Sequence, residues 1–401
     1  MNHTSQAIAI SEHVHWVGAI DWDLRDFHGY ATTRGTSYNA YLITAGEVTL
    51  VDTVKAPFRD ELLARIASVT EPGKIRTIIS NHAEMDHSGS LPALIDALKP
   101  QRVFASALGV QALRDHFGLK NITPVKDGQA IDIGGGELTF YETRMLHWPD
   151  SMFTWYAGDG VLFSNDAFGM HLASVERFTD ELPWPLIAEE TARYYANILM
   201  PLSKLVGRLM ERMQALALPI KLVATDHGPI WRQDIAKVFE LYARWAAQFK
   251  TRKAVVVYDT MWGSTARMAR AIADGLREAG VSARLMSMSG SHRSEVATEL
   301  LEAGALLVGS PTLNRNIFPS LADVMTYLKG LAPRNLIGAA FGSYGWSSQA
   351  VGQLTDLLRQ MDVEVIDEGV AAVYVPDVEA LERCRTLGRR VADRLTERIK
   401  R

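Results

Sequence analysis

The sequence is nearly free of cysteine. Cys384, in the run "EALERCRTLGRRVADRL", stands alone. It has no partner for an internal disulfide, and there is no ligand set for a Cys-rich zinc site or a bound iron–sulfur cluster. It reads as a packed helix residue without chemistry. Charge of one sign is not in excess either. A formal net charge of −4 over 401 residues gives no footprint for nucleic acid or a membrane surface. No apolar run reaches the roughly 18 to 20 residues that a membrane helix needs. The start, "MNHTSQAIAISEHV", has no basic segment followed by an apolar one, so no signal peptide is expected and the cytoplasm is the default location. What is present is apolar bulk, 47% of residues, enough for sizeable cores. The length predicts two or three domains.

The chain has two rhythms. Up to about residue 250, strands come in runs with helices between some of them. "AYLITAGEVTLVDT" reads as two strands around a turn at Ala45-Gly46, "KIRTIIS" as a short buried strand, and "SLPALIDALKP" as a helix ending at Pro100. "LTFYETRML" and "GVLFSND" are again strands. "TARYYANILMPLSKLVGRLMERMQAL" and "DIAKVFELYARWAAQF" have helical spacing. After Lys250, strand and helix alternate five times, beginning with "KAVVVYD" and "ARMARAIADGLREAG". That alternation predicts an open, doubly wound parallel sheet. The boundary is expected near Phe249 to Lys253, giving domains 1–250 and 251–401.

In the first half, ligand-type residues follow β-rich runs at four places. "NHAEMDHSGS" supplies His82, Glu84, Asp86 and His87 after "IRTIIS". His147 follows "YETRML", Asp166 follows "GVLFSN", and Asp226 with His227 follows "KLVAT". Strand ends are rigid, so ligands gathered from several of them suit a preorganised metal site. Asp226, beside His227, reads as a carboxylate that orients a ligand imidazole through its other nitrogen. His28, His171 and Tyr195 are candidates to line the pocket as hydrogen-bond donors to substrate. His3, His13, His15, His116 and His292 show no constellation.

The cluster resembles the metallo-β-lactamase-like superfamily, whose hydrolases carry His-x-His-x-Asp-His here. Glu84 replaces the second histidine. Four imidazoles and three carboxylates are richer in hard oxygen donors than zinc prefers, and suit iron or manganese. By simple charge counting, two divalent ions and three carboxylates leave roughly +1, and added negative charge favours a higher oxidation state. The resemblance assigns His82, Glu84 and His147 to one iron and Asp86, His87 and His227 to the other, with Asp166 bridging.

The second half opens with "YDTMWGSTARMA". Thr260, Ser264 and Thr265 supply hydroxyls, Gly263 allows a tight turn, and a helix starts at about Ala266. Such a loop holds a phosphate on hydroxyls and backbone N–H groups without a lysine. It is similar to the phosphate loop of flavodoxins. Two further loops, "GSPTLNRNIFPS" and "FGSYGWSSQA", fall on the C-terminal edge of the sheet, beside the switch point where an FMN ring would lie. The resemblance places Pro311, Thr312, Leu313 and Asn314 on one side of that ring. Ser343, Tyr344, Gly345, Trp346 and Ser347 lie on the other, with Met261 and Trp262 beside the phosphate loop. Tyr344, Trp346 and Trp262 are flat surfaces suited to stacking.

Together the halves resemble the flavodiiron proteins over essentially the whole chain. The resemblance implies a metallo-β-lactamase-like αββα sandwich followed by a flavodoxin-like, five-stranded, doubly wound parallel sheet. It implies FMN and two non-haem irons as cofactors, reduction of dioxygen to water, of nitric oxide to nitrous oxide, or both, and a head-to-tail homodimer or dimer of dimers. Electrons are expected from an external rubredoxin, flavin reductase or reduced deazaflavin, because no cysteines for a fused rubredoxin are present. Neither nucleic acid nor membrane is an expected partner. The alternatives are an enzyme primarily for nitric oxide, a zinc hydrolase, and a non-catalytic flavin electron carrier.

Overall fold

The structure is a computed structural model and describes residues 5–400; His3 lies outside them. The chain divides into two compact units, one running through Tyr194 and resuming at Lys204–Ala243, the other formed by Tyr195–Ser203 with the chain from Arg244 onward.

The first unit is a pair of sheets. A seven-stranded sheet orders Ile8–Ala9, Val14–Trp16, Tyr41–Ile43, Thr49–Val51, Thr77–Ser80, Arg102–Ser106 and Thr123–Val125. A five-stranded sheet orders Ala130–Asp132, Glu137–Glu142, Met152–Tyr156, Val161–Asn165 and Leu222–Thr225. Side chains alternate across each strand, which decides what each face meets. Ile79 and Phe104 point inward to Phe140, Met152 and Phe163 of the other sheet. Their neighbours Ile78 and Val103 point outward to Leu62 and Ile66, Leu91 and Leu94, and Leu113, on three covering helices. The five-stranded sheet is covered in turn: Phe168 stacks on Phe153 of the sheet and on Phe239 and Tyr242 of the helix Ile235–Ala246. This is the expected αββα sandwich.

The long helical run after residue 190 is not one helix. Trp184–Tyr194 passes into a π turn over Tyr195–Leu199 and a 3₁₀ turn over Met200–Leu202 before Ser203–Leu216 resumes. Pro201 explains the break, since it has no N–H to continue the ladder. The interrupting segment belongs to the second unit, where Asn197 donates to the Ser294 carbonyl at 3.2 Å and accepts from the Tyr327 hydroxyl at 2.8 Å.

The second unit is the expected doubly wound sheet, all parallel, ordered Ser282–Ser287, Thr251–Tyr258, Ala303–Gly309 and Ile337–Tyr344. The last position is shared by two short strands, Glu364–Val365 and Val370–Val373. One face, with Ala254, Val256, Leu307 and Phe341, packs on the helices Ser264–Glu278 and Val378–Ile399. Those helices cross closely at Gly275, where a Cβ would run into the Arg385 carbonyl. Cys384 is fully buried in this core, and burial pushes its thiol up to about 12.

Candidate metal centre and flavin cradle

The strand ends deliver the ligand types as polar tips of rigid rods. His82 lies two residues past Ser80, Asp166 directly follows Asn165, and Asp226 and His227 directly follow Thr225. His147 comes five residues after Glu142. Within the first unit these converge on two groups, His82–Glu84–His147–Asp166 and Asp86–His87–His227, buried except for the partly exposed His147.

In the first group, Glu84 Oε2 is 3.2 Å from His82 Nε2 and 3.1 Å from His147 Nε2. In the second, Asp86 Oδ2 is 3.4 Å from His87 Nε2 and 3.2 Å from His227 Nε2. Asp166 touches both: its Oδ2 is 3.2 Å from His147 Nε2, and its Oδ1 is 3.2 Å from His87 Nε2 and 3.4 Å from His227 Nε2.

This set fits two cations. Both carboxylate oxygens of Asp86 and Asp166 and both ring nitrogens of His87 are buried without a hydrogen-bond partner in the protein. Orphaned buried charges cost several kcal/mol each unless something compensates them, and inward-facing imidazoles and carboxylates are what a divalent pair coordinates. Burial raises Glu84, but the hydrogen bonds from His147 and His82 outweigh it and hold the carboxyl below its usual range.

The outer contacts fix the rings. His82 Nδ1 meets Asp150 Oδ2 at 3.1 Å, and the same oxygen accepts from the Ala83 N–H at 2.7 Å. His227 donates from Nδ1 to the Ser37 carbonyl at 2.7 Å, with Thr36 Oγ1 at 3.3 Å. Asp226 therefore does not orient its sequence neighbour. It faces His87 Nδ1 at 3.6 Å, because adjacent residues leaving a strand point to opposite sides. Asp150 was missed in the sequence; its signal is a carboxylate three residues after His147 in the run "HWPD".

Of the three residues expected to line the pocket, His28 places Nε2 3.1 Å from Glu84 Oε1, with most of its ring exposed. His171 is buried against His227, ring centroids 4.6 Å apart, and bonds Thr36 Oγ1 through Nδ1 at 2.9 Å. Burial, then the charge of His227, pushes His171 well below the usual imidazole range, so it stays neutral. Tyr195 requires a correction. Its hydroxyl meets Ser203 Oγ at 3.3 Å and its ring packs on Trp245, all in the second unit. The neighbouring Tyr194 instead lies 5.2 Å from the His171 ring and 6.2 Å from the His227 ring. One residue on a helix turns the side chain by about 100°, enough to exchange the two tyrosines. Burial, then the Asp166 charge, raises the Tyr194 hydroxyl well above its usual value, so it remains a proton-bearing donor.

In the second unit, the loops at the C-terminal edge of the sheet enclose a cavity of about 750 Å³. Met261, Trp262, Ser264, Pro311, Thr312, Leu313, Asn314, Ser343, Tyr344, Gly345, Trp346 and Ser347 line it. Arg315, Tyr374 and Val375 also line it and were not foreseen; the last two follow the outermost strand Val370–Val373 on the same edge. Thr260, Gly263 and Thr265 shape the loop from behind. Thr260 Oγ1 accepts from the Gly263 N–H at 3.0 Å, and buried Thr265 bonds Ser343 Oγ at 3.0 Å. Gly263 sits at φ +86° and caps the helix Ser264–Glu278 without a side-chain hydrogen bond, so the first-turn N–H groups stay open to an anion. Trp262 and Trp346 are 94% and 89% exposed, flat apolar surfaces that an isoalloxazine would cover. The cradle fits FMN.

A sandwich bearing a paired metal cluster, followed by a doubly wound flavin-binding sheet, defines a two-domain metalloflavoprotein. The comparisons agree. Residues 36–228 match the ODP family beta lactamase model and residues 256–388 the flavodoxin model. The chain is 44% identical to a nitric oxide reductase of Moorella thermoacetica, covering 98% of this chain and 100% of that one. It is 42% identical to a rubredoxin-oxygen oxidoreductase of Megalodesulfovibrio gigas, covering 98% and 99%. Among solved structures, it superimposes on the rubredoxin oxygen:oxidoreductase of Desulfovibrio gigas with a TM-score of 0.96 at 41% identity, covering 99% and 100%. The flavodiiron protein of Giardia intestinalis gives 0.95 at 34%, covering 98% of each chain. The chain belongs to the flavodiiron protein family. It is an oxidoreductase whose cofactors are FMN and a non-haem diiron centre.

Proposed function

We propose that this protein reduces dioxygen to water, with nitric oxide as the second substrate. The observation that carries the reading is the division of Asp166 between the two groups of ligands. A carboxylate shared in this way holds two metals at one bridge, where two substrate atoms can be met together. In this reading His82, Glu84 and His147 hold one iron, Asp86, His87 and His227 the other, and Asp166 bridges. When bound, the irons and FMN supply electrons two at a time, which matches four for dioxygen and two for a pair of nitric oxide molecules.

The protein's residues do the rest. Asp150 and the Ser37 carbonyl fix the rings of His82 and His227, and Asp226 faces the ring of His87. Neutral His171 and protonated Tyr194 supply hydrogen bonds at the pocket wall, and His28 stands over Glu84 at its mouth. Thr260 to Thr265 hold the flavin phosphate, and the loops at Pro311 to Asn314 and Ser343 to Ser347 hold the ring. The same proposal assigns residues 1–250 to the diiron half and 251–401 to the flavin half. It includes a head-to-tail homodimer, a cytoplasmic location and an external donor, a rubredoxin being favoured by the relative's name. Among the described residues, no helix is long and apolar enough to cross a membrane.

Nitric oxide as main substrate is favoured by the name of the Moorella relative. A paired electrode assay decides. Fed by an artificial donor, the purified protein should consume dioxygen quickly without peroxide and nitric oxide slowly. The reverse order would make nitric oxide the substrate. Zinc without iron, in protein from iron-replete cells, would revive a hydrolase. FMN with an empty or single-metal site would revive an electron carrier.

A further inference from the structure

The residue after His147 has no part in the metal site, yet its ring touches the site from outside. Trp148 lies edge-on to His82, centroids 5.2 Å apart at 86°, and 6.2 Å from the ring of His147. Its other side reaches the ring of His116 at 6.0 Å. His82 and His147 both turn Nε2 toward the carboxylates of the cluster. His116 is exposed on the helix Ala107–Phe117, and Trp148 itself is only half-buried. An indole thus spans the wall between a ligand imidazole and solvent, in ordinary edge-to-face contact at both ends.

We propose that Trp148 is a one-electron relay that drains oxidising equivalents from the metal centre to the surface when the electron supply falls short. The inference rests on the diiron reading above. Dioxygen needs four electrons to become water, and a centre that meets it while the flavin is oxidised has only part of them. The two that are missing then come, one at a time, from the most easily oxidised group in contact, which is re-reduced between the two steps. The other candidates are worse placed. Tyr38 touches His227 at 6.1 Å, but its buried hydroxyl is bound to Asp21, and Tyr194 is buried. Cys384 is buried in the other unit. Trp148 gives one electron through His82 to the oxidant at the centre and releases its indole N–H proton at the half-exposed edge. A small thiol or ascorbate at the surface returns the electron, and solvent returns the proton. The centre is spared oxidation of its own ligands.

The test uses holoprotein reduced with a limiting amount of artificial donor and then aerated, with catalase present to remove diffusible peroxide. Dioxygen uptake is recorded in the same vessel, and peptides are mapped by mass spectrometry. Trp148 should carry one or two added oxygen atoms severalfold more often than Trp22 and Trp184, which are 52% and 37% exposed and lie outside the flavin cradle. Sulfoxide at exposed Met85 and Met145 reports any escaping peroxide. Trp148→Phe should keep its iron, lose the freeze-quenched tryptophan radical signal and shift oxidation onto His82. Should that variant lose its iron, the wild-type map still decides. Uptake with Trp148 marked no more than the exposed tryptophans overturns the relay alone. No uptake at all overturns the relay together with the diiron reading.

Discussion

Asp166 Oδ2 lies 3.2 Å from His147, and Asp166 Oδ1 lies 3.2 Å from His87. One carboxylate thus serves two separate sets of imidazoles, and apart from those ion-pair contacts its two oxygens have no hydrogen-bond partner. Asp166→Ala removes the shared ligand and leaves four imidazoles around a gap. Iron content should fall from about two per chain toward one or less, and gas reduction should be lost, while FMN content stays at wild-type level because the cradle is in the other unit. Metal analysis beside the flavin spectrum reads both. Retained turnover with two irons would remove Asp166 from the bridge.

Asp150 acts one step further out. Its Oδ2 takes the Nδ1 side of His82 and the Ala83 N–H, so it fixes both the tautomer and the turn that carries the ligand. Asp150→Ala should weaken iron binding about 10- to 100-fold, the usual loss when a ligand histidine loses its partner. Chelator competition on the holoprotein measures it. An unchanged chelator midpoint would show that His82 needs no such support.

The two adjacent tyrosines make a matched pair. Tyr194 stands against His171 and His227 with its proton held on, whereas Tyr195 bonds Ser203 and packs on Trp245. Tyr194→Phe should lower turnover about 10- to 100-fold, the worth of one hydrogen bond to a charged or developing-charge partner. Iron content should not change. Tyr195→Phe should leave turnover alone and cost about 1 kcal/mol of stability. The opposite pattern would return the pocket role to Tyr195.

That exchange shows where sequence reading stops. The two sheet rhythms, the ligand strand ends and the three flavin loops were legible because each is set by local pattern: apolar alternation, turn residues, and donors placed straight after a strand. Tyr194 against Tyr195 depends on the phase of a helix broken by a π turn, which no local pattern fixes. Asp226 was legible as a carboxylate beside a ligand imidazole, but which imidazole was not: the strand end turns it to Nδ1 of His87 rather than to its sequence neighbour. Tyr374 enters the flavin cavity from the end of a strand whose neighbours are set only by sheet order, whereas Arg315 sits in a loop read from the sequence, one residue past Asn314.

Lys250 gives a prediction about stability. It is buried where the second unit's first strand begins, and its Nζ donates to the carbonyls of Leu300 and Leu301 at 3.1 Å each, past the end of the helix Arg293–Leu300. Burial pushes its pKa down from 10.5 to about 8. Below about 8 the lysine is charged in both the folded and the unfolded chain, and the fold carries the whole burial penalty. Between about 8 and 10.5 the unfolded lysine holds a proton that the folded one has lost, so stability rises with pH through that window. The gap is worth about 3 kcal/mol. Lys250→Met has no such titration. The stability of the wild type minus that of the variant should be flat below pH 8 and should climb by up to that amount as pH approaches 10.5. Denaturant titrations of the holoprotein, followed by flavin release, read this difference, and titrations elsewhere in the chain cancel in it. A difference that stays level across the window would mean that Lys250 keeps an ordinary proton affinity. Its two carbonyl partners would then be stabilising the ammonium enough to offset burial.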